Sequence, residues 1–135
     1  MSSTPPRLAR VLETALYYSD AERTERFYTD ILGMRLLDRE PGRRLFFRVG
    51  DSVLLLFKAQ ETLRGRTLPS HGATGSIHIC FLAPEEEYER WKAHLASRGI
   101  PILQESRWPN GLSFFFHDPD GNLLEIANAR RPDPE

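Results

Sequence analysis

Leu32-Gly33-Met34-Arg35-Leu36-Leu37 and, 66 residues further along, Arg98-Gly99-Ile100-Pro101-Ile102-Leu103 are two versions of one junction. In each, a glycine separates the end of a helically spaced apolar stripe from the start of an apolar, strand-like run. Glycine suits that place because the residue after a helix commonly adopts the left-handed conformation, which a Cβ penalises. Upstream of Gly33, Phe27, Ile31 and Leu32 stand at helical spacing behind Ser19-Asp20, and Ser19 with Glu22 reads as a capping box. The β-rich stretch Val11 to Tyr18 precedes that helix. Downstream, Met34 to Glu40, Leu45 to Val49 and Ser52 to Lys58 read as strands, parted by Pro41-Gly42 and Gly50-Asp51. Around Gly99 the same order returns. Ser76 to Ala83 reads as a strand, Pro84 and Glu85 to Glu87 suit a helix start, and Tyr88, Trp91 and Leu95 form its buried stripe. Ile100 to Trp108, Leu112 to Asp118 and Leu123 to Ala129 then read as three more strands, the last hairpin turning through Asp118-Pro119-Asp120-Gly121. A βαβββ unit is too short to bury its own sheet face. Its recurrence therefore predicts an α+β fold in which paired βαβββ modules form a curved, cleft-bearing mixed sheet with helices outside.

The rest of the chain divides around these modules. Residues 1–9 and 130–135 are small, polar or proline-containing and read as disordered tails. Module one covers 10–60 and module two 76–129, so that 10–129 forms a single domain; a linker over 61–75 is rich in Gly, Pro, Ser and Thr. With 135 residues, 40% hydrophobic and 27% charged, the composition is that of a soluble globular protein. Eighteen Lys and Arg against 19 Asp and Glu leave a net charge of −1, which argues against a nucleic-acid partner. A single cysteine, Cys80, excludes an internal disulfide and a cysteine zinc cluster. The longest apolar run, Val53 to Phe57, is far short of a membrane span, and Met1 to Arg10 lacks the apolar region of a secretory signal. The expectation is a cytoplasmic protein without a membrane partner.

Side chains two apart on a strand share a face, and that alternation isolates three ionisable residues in apolar strands. Glu13 shares a face with Ala15 and Tyr17, His78 with Cys80, and Glu125 with Leu123 and Ala127. Glu13 and His78 hold equivalent places on the first strand of each module. If the faces converge, one histidine and two carboxylates line one cleft, a set suited to a divalent metal with open positions. Each also has an ordinary reading: a solvent-facing Glu13, a hydrogen-bonded core His78, a Glu125 paired with Arg48 or Arg107. Cys80 reads as a small wall residue, His71 as an exposed loop histidine or a donor from a lid, and His94 as solvated among helix charges. His117 takes no clear place. The aromatics Phe46, Phe47, Phe114, Phe115 and Phe116 mean core for the most part, with some of each run lining the cleft. The expected substrate pocket comprises Tyr17, Phe47, Leu55, Cys80 and Trp108.

Four segments together carry a family resemblance: Glu13 to Asp20, Phe27-Tyr28-Thr29-Asp30-Ile31-Leu32-Gly33-Met34, Ile77 to Phe81, and His117-Asp118-Pro119-Asp120-Gly121-Asn122-Leu123-Leu124-Glu125. With them the chain, over about residues 10 to 129, resembles the vicinal oxygen chelate superfamily: glyoxalases, fosfomycin- and bleomycin-resistance proteins, and extradiol dioxygenases. The resemblance places the metal ligands on Glu13, His78 and Glu125. Glu13 stands where many members have histidine, and the fourth ligand of glyoxalase-type members falls near Leu55. It implies one divalent ion (Mn, Fe, Ni or Zn), a small organic substrate chelating through two neighbouring oxygens, and an oxyanion stabilised by the ion. It also implies that Glu13 or Glu125 acts as base and that the chain forms a homodimer. The alternative from the same resemblance is a metal-free protein that sequesters a small molecule.

Overall fold

The computed structural model describes residues 4–64 and 69–128. Module one runs β1 (Glu13–Tyr18), α1 (Ala21–Arg26) with a π-helical turn over Phe27–Ile31, β2 (Arg35–Glu40), β3 (Arg44–Val49) and β4 (Ser52–Lys58). Module two runs β5 (His78–Leu82), a 3-10 turn over Glu85–Glu87, α3 (Tyr88–Ser97), β6 (Gln104–Trp108), β7 (Gly111–His117) and β8 (Leu123–Ala127). Between them, α2 (Ala59–Arg64) occupies the start of the expected linker. The repeat is therefore present as an α+β fold, as two four-stranded mixed sheets of identical topology, β1-β4-β3-β2 and β5-β8-β7-β6. Each first strand lies at a sheet edge, parallel to the last strand of its module. Among the described residues no backbone hydrogen bond joins β1 to β5, so the sheets are separate rather than one continuous sheet.

Gly33 and Gly99 take φ of 72° and 75°, the left-handed values their positions require. Several local expectations shift. Asp20, not Ser19, caps α1, its Oδ1 accepting from Arg23 N at 3.0 Å. Ser19 is instead drawn across to module two, where its amide and hydroxyl donate to Asp120 at 3.0 and 2.6 Å. The strand expected from Ile100 begins only at Gln104, because Pro101 lacks an N–H for the ladder. Val11 and Leu12 precede β1 and are exposed. Residues 4–9 have no regular secondary structure; residues 1–3, Ala129 and the tail at 130–135 lie outside the described residues.

One core serves both modules. Leu16, Tyr18, Phe27, Tyr28, Leu54 and Leu56 pack with Tyr88, Leu95, Phe114, Phe116, Leu124 and Ile126. Alternation assigns the other side of each sheet. Phe46 and Phe115 point away from the core, whereas Phe47 is fully buried in it. Phe47 therefore does not line a substrate pocket: its register partners Leu36 and Leu54 are also core residues. Polar bonds fasten the modules. Tyr28 donates to the buried Asp118 at 2.8 Å, and Asn122 Nδ2 donates to Tyr17 O at 3.3 Å. His94 is half-buried and donates from Nε2 to Ile31 O at 2.7 Å. The π-helical turn leaves that carbonyl in reach, which corrects the expectation of a solvated histidine.

Candidate functional site

Strand register builds the site in rows. In module two, His117, Leu123 and His78 are opposite one another on β7, β8 and β5, and the next row on that face is Phe115, Glu125 and Cys80. In module one the matching rows are Arg48, Val53 and Glu13, then Phe46, Leu55 and Ala15. Glu13 is thus the counterpart of His78, Leu55 of Glu125, Ala15 of Cys80 and Arg48 of His117.

His78 and Glu125 come together. Nε2 of the imidazole is 3.1 Å from Glu125 Oε1, and Nδ1 is 2.8 Å from the Leu123 carbonyl. A carbonyl only accepts, so Nδ1 carries a hydrogen, and Nε2 meets the carboxylate either as a protonated donor or with its lone pair. Two acceptors at this separation need a cation between or upon them, either a proton or a metal. Glu125 is 3% exposed, so water does little to screen the encounter. The spacing fits an ion: two ligands bound at about 2.1 Å and at right angles are about 3.0 Å apart. A backbone carbonyl holding the second imidazole nitrogen is also the usual support of a metal-ligating histidine. The donor pair fits a divalent ion. Glu13 does not join it within the chain, since among the described residues no set of three His, Cys, Asp or Glu side chains converges. It stands exposed on β1, at the open edge of its sheet.

The remaining expected residues separate in the same way. Cys80 is exposed beside Glu125 on the next strand. Trp108 lies at the far end of β6 and donates from Nε1 to Ser113 Oγ at 2.8 Å. Tyr17 and Leu55 share the open face of module one with Glu13. His71 reaches that face: its Nδ1 and the Tyr17 hydroxyl share a 2.8 Å hydrogen bond. His117 is exposed in the His78 row. Alternation could have found it, because it lies an even number of residues from Phe115 and Ser113.

Two hollows lie where the sheets approach. One, of about 380 Å³, separates Thr14 and Val53 from Ile79, Cys80 and Leu82. The other, of about 390 Å³, lies under residues 73–75 and is lined by Tyr18, Lys58, Gln60, Asp120 and Asn122. The Tyr18 hydroxyl is buried there without a hydrogen-bond partner among the described residues. Among those residues no helix is long and apolar enough to cross a membrane.

Comparison with known proteins agrees with this architecture. The chain is 28% identical over 111 residues to the glutathione transferase FosA of Serratia marcescens, an alignment covering 82% of this chain and 74% of that one. It is 30% identical over 112 residues to catechol-2,3-dioxygenase of Bacillus subtilis, covering 82% of this chain but 38% of the dioxygenase. The structure of lactoylglutathione lyase from Agrobacterium tumefaciens superimposes with a TM-score of 0.85 at 37% identity, over 93% of this chain and 96% of that one. The model of the glyoxalase/bleomycin resistance protein/dioxygenase superfamily matches residues 10–126, and the chain belongs to that superfamily.

Proposed function

We propose that the protein is a metal-dependent enzyme acting on a small organic substrate, with the ion held by His78 and Glu125 of one chain and Glu13 of a second copy. The observation that carries this reading is the approach of His78 Nε2 to buried Glu125 Oε1 at 3.1 Å, with the other ring nitrogen held by Leu123 O, a donor pair that fits a divalent ion. The homodimer is supported by the open edges of β1 and β5, by Val11 (72% exposed) and Leu82 (54% exposed) beside them, and by the separation of Glu13 from its expected partners. The bound ion would supply a Lewis acid that polarises two neighbouring substrate oxygens. The chain supplies the rest. Glu125 gives a buried negative charge, His78 a neutral nitrogen of fixed orientation, and Glu13 an accessible carboxylate able to accept a proton from bound substrate. Tyr17, Leu55, Cys80 and Trp108 would line the space around it. The names borne by the relatives, a transferase, a dioxygenase and a lyase, support an enzyme and leave the reaction type open.

Elemental analysis of the protein and of its variants tests this. The parent protein should bind about one divalent ion per chain, and His78→Ala or Glu125→Ala should weaken binding by more than about 100-fold, since losing an outer partner of a ligand alone costs about 10–100-fold. Mixing Glu13→Ala chains with His78→Ala chains should rebuild one complete site per mixed dimer, because the intact Glu13 and the intact His78 then meet. A parent protein unable to bind any divalent ion overturns the proposal, and a sequestering protein without metal takes its place. Mixed dimers that regain no metal overturn the shared site.

A further inference from the structure

Module one carries a feature that metal binding does not use. From Glu13 its open face continues through the row Ala15, Leu55 and Phe46 to the row Tyr17, Phe57 and Arg44. At about 3.3 Å per residue these rows lie about 7 and 13 Å from Glu13 along the strand. Phe46 and Phe57 meet edge to face at 5.7 Å, and Leu55 is only 7% exposed although it stands outside the main core. Onto this floor His71 lowers its ring. His71 packs edge-on to Phe57 at 4.9 Å, tilts against Tyr17 at 5.8 Å, and shares the 2.8 Å hydrogen bond with the Tyr17 hydroxyl. The strap that delivers it is seated on α2: His71 N donates to Thr62 O at 3.0 Å. Gly72 lies so close that an added Cβ would be 2.5 Å from Leu63 Cγ. Each of these three ring contacts is one that a free planar ring with a polar atom at its edge can also make.

We propose that the Tyr17–Phe57 corner is a binding subsite for a planar ring bearing a hydrogen-bonding atom at its edge, and that His71 fills it until such a ring displaces it. The placement rests on the proposed metal reading. With the ion at Glu13, ring and chelating oxygens belong to one substrate, a two-oxygen head joined by a spacer to an aromatic or heteroaromatic group about 13 Å away along the strand, as the rise to the Tyr17 row sets it. Burial raises the Tyr17 pKa, so its hydroxyl stays protonated at neutral pH and available to the incoming ring. A purely aliphatic tail fills the floor without replacing the Tyr17 hydrogen bond, and the subsite selects against it.

The test is chemical replacement of the missing ring. Imidazole is titrated into wild-type protein, His71→Gly and His71→Ala, with and without EDTA, following Tyr and Phe side-chain signals by NMR. Both variants should take up imidazole with a dissociation constant at least tenfold below that of wild type, whether or not EDTA is present. Phe57→Ala placed in either background should remove the gain. Uptake that is equal in wild type and variants, or that survives Phe57→Ala, overturns the subsite. Metal content measured on the same samples keeps the two ideas apart. A parent protein without metal sinks the enzyme reading while the imidazole titration still decides the subsite. Normal metal content with no imidazole gain sinks the subsite alone.

Discussion

Glu125 and Tyr18 are both polar groups in places that water barely reaches, and their difference lies in what faces them. Glu125 faces an imidazole nitrogen at 3.1 Å, whereas the Tyr18 hydroxyl faces no hydrogen-bonding group among the described residues. A buried hydroxyl without a partner costs stability that a phenyl ring does not, so Tyr18→Phe should raise unfolding free energy by about 1 kcal/mol. Tyr28 is the opposite case. Its hydroxyl donates to buried Asp118, and burial together with that carboxylate pushes its pKa well up, keeping the proton in place. Tyr28→Phe should cost about 1.5–3 kcal/mol, the range for a hydrogen bond to a charged group. Urea titrations of both variants check the pair of signs. Destabilisation by Tyr18→Phe would mean that the hydroxyl has a partner in solution, in the hollow that Tyr18 lines. Alternation in the sequence separates Tyr17 from Tyr18 by face, but no periodicity says that one hydroxyl finds a histidine 54 residues away and the other finds no partner among the described residues.

At the scale of elements, the register makes Leu55 the module-one counterpart of Glu125. Leu55→Glu should destabilise the metal-free protein by at least about 2 kcal/mol through lost apolar burial. Added manganese should restore part of that loss if the new carboxylate joins Glu13 beside the ion, and thermal melts with and without the metal read both effects. The contact of α3 with β6 sets a pH dependence. Glu105 accepts from Tyr88 at 2.7 Å and from Lys92 at 3.0 Å, and these bonds, the Tyr88 one first, hold its pKa below the ordinary 4.5. A carboxyl whose pKa is lower folded than unfolded stabilises the fold above the ordinary value and loses that contribution as pH falls through the lowered one. Acid unfolding should therefore steepen below about pH 4.5, and Glu105→Gln should flatten that limb in pH-jump denaturation. The strands and helices were largely legible, because period-2 and period-3.6 patterns record which face is buried. The π-helical turn at Phe27–Ile31 was not, because Phe27, Ile31 and Leu32 fit an ordinary helix equally well. Helix α2 hid in a segment whose composition reads as linker.

At the scale of the whole molecule, the repeat at Gly33 and Gly99 was enough to find the architecture and the equivalence of Glu13 with His78. It was not enough to bring the three expected ligands together. Alternation says which face a residue occupies and is silent on which face meets it, and within the chain the two modules meet through their cores. Phe47 shows the same limit from the other side: an aromatic pair such as Phe46-Phe47 must place one ring inside, and only the register with Leu36 and Leu54 tells which. The pairing of His78 with Glu125 across adjacent strands survives this limit because it needs only one module. It also has an evolutionary consequence. The group that orients His78 is the main-chain carbonyl of Leu123, which a side-chain substitution at position 123 does not remove. The hydrogen bond that aims the imidazole therefore does not depend on which strand-forming side chain stands at residue 123. Only an insertion, a deletion or a slip of β8 against β5 would turn the ring away.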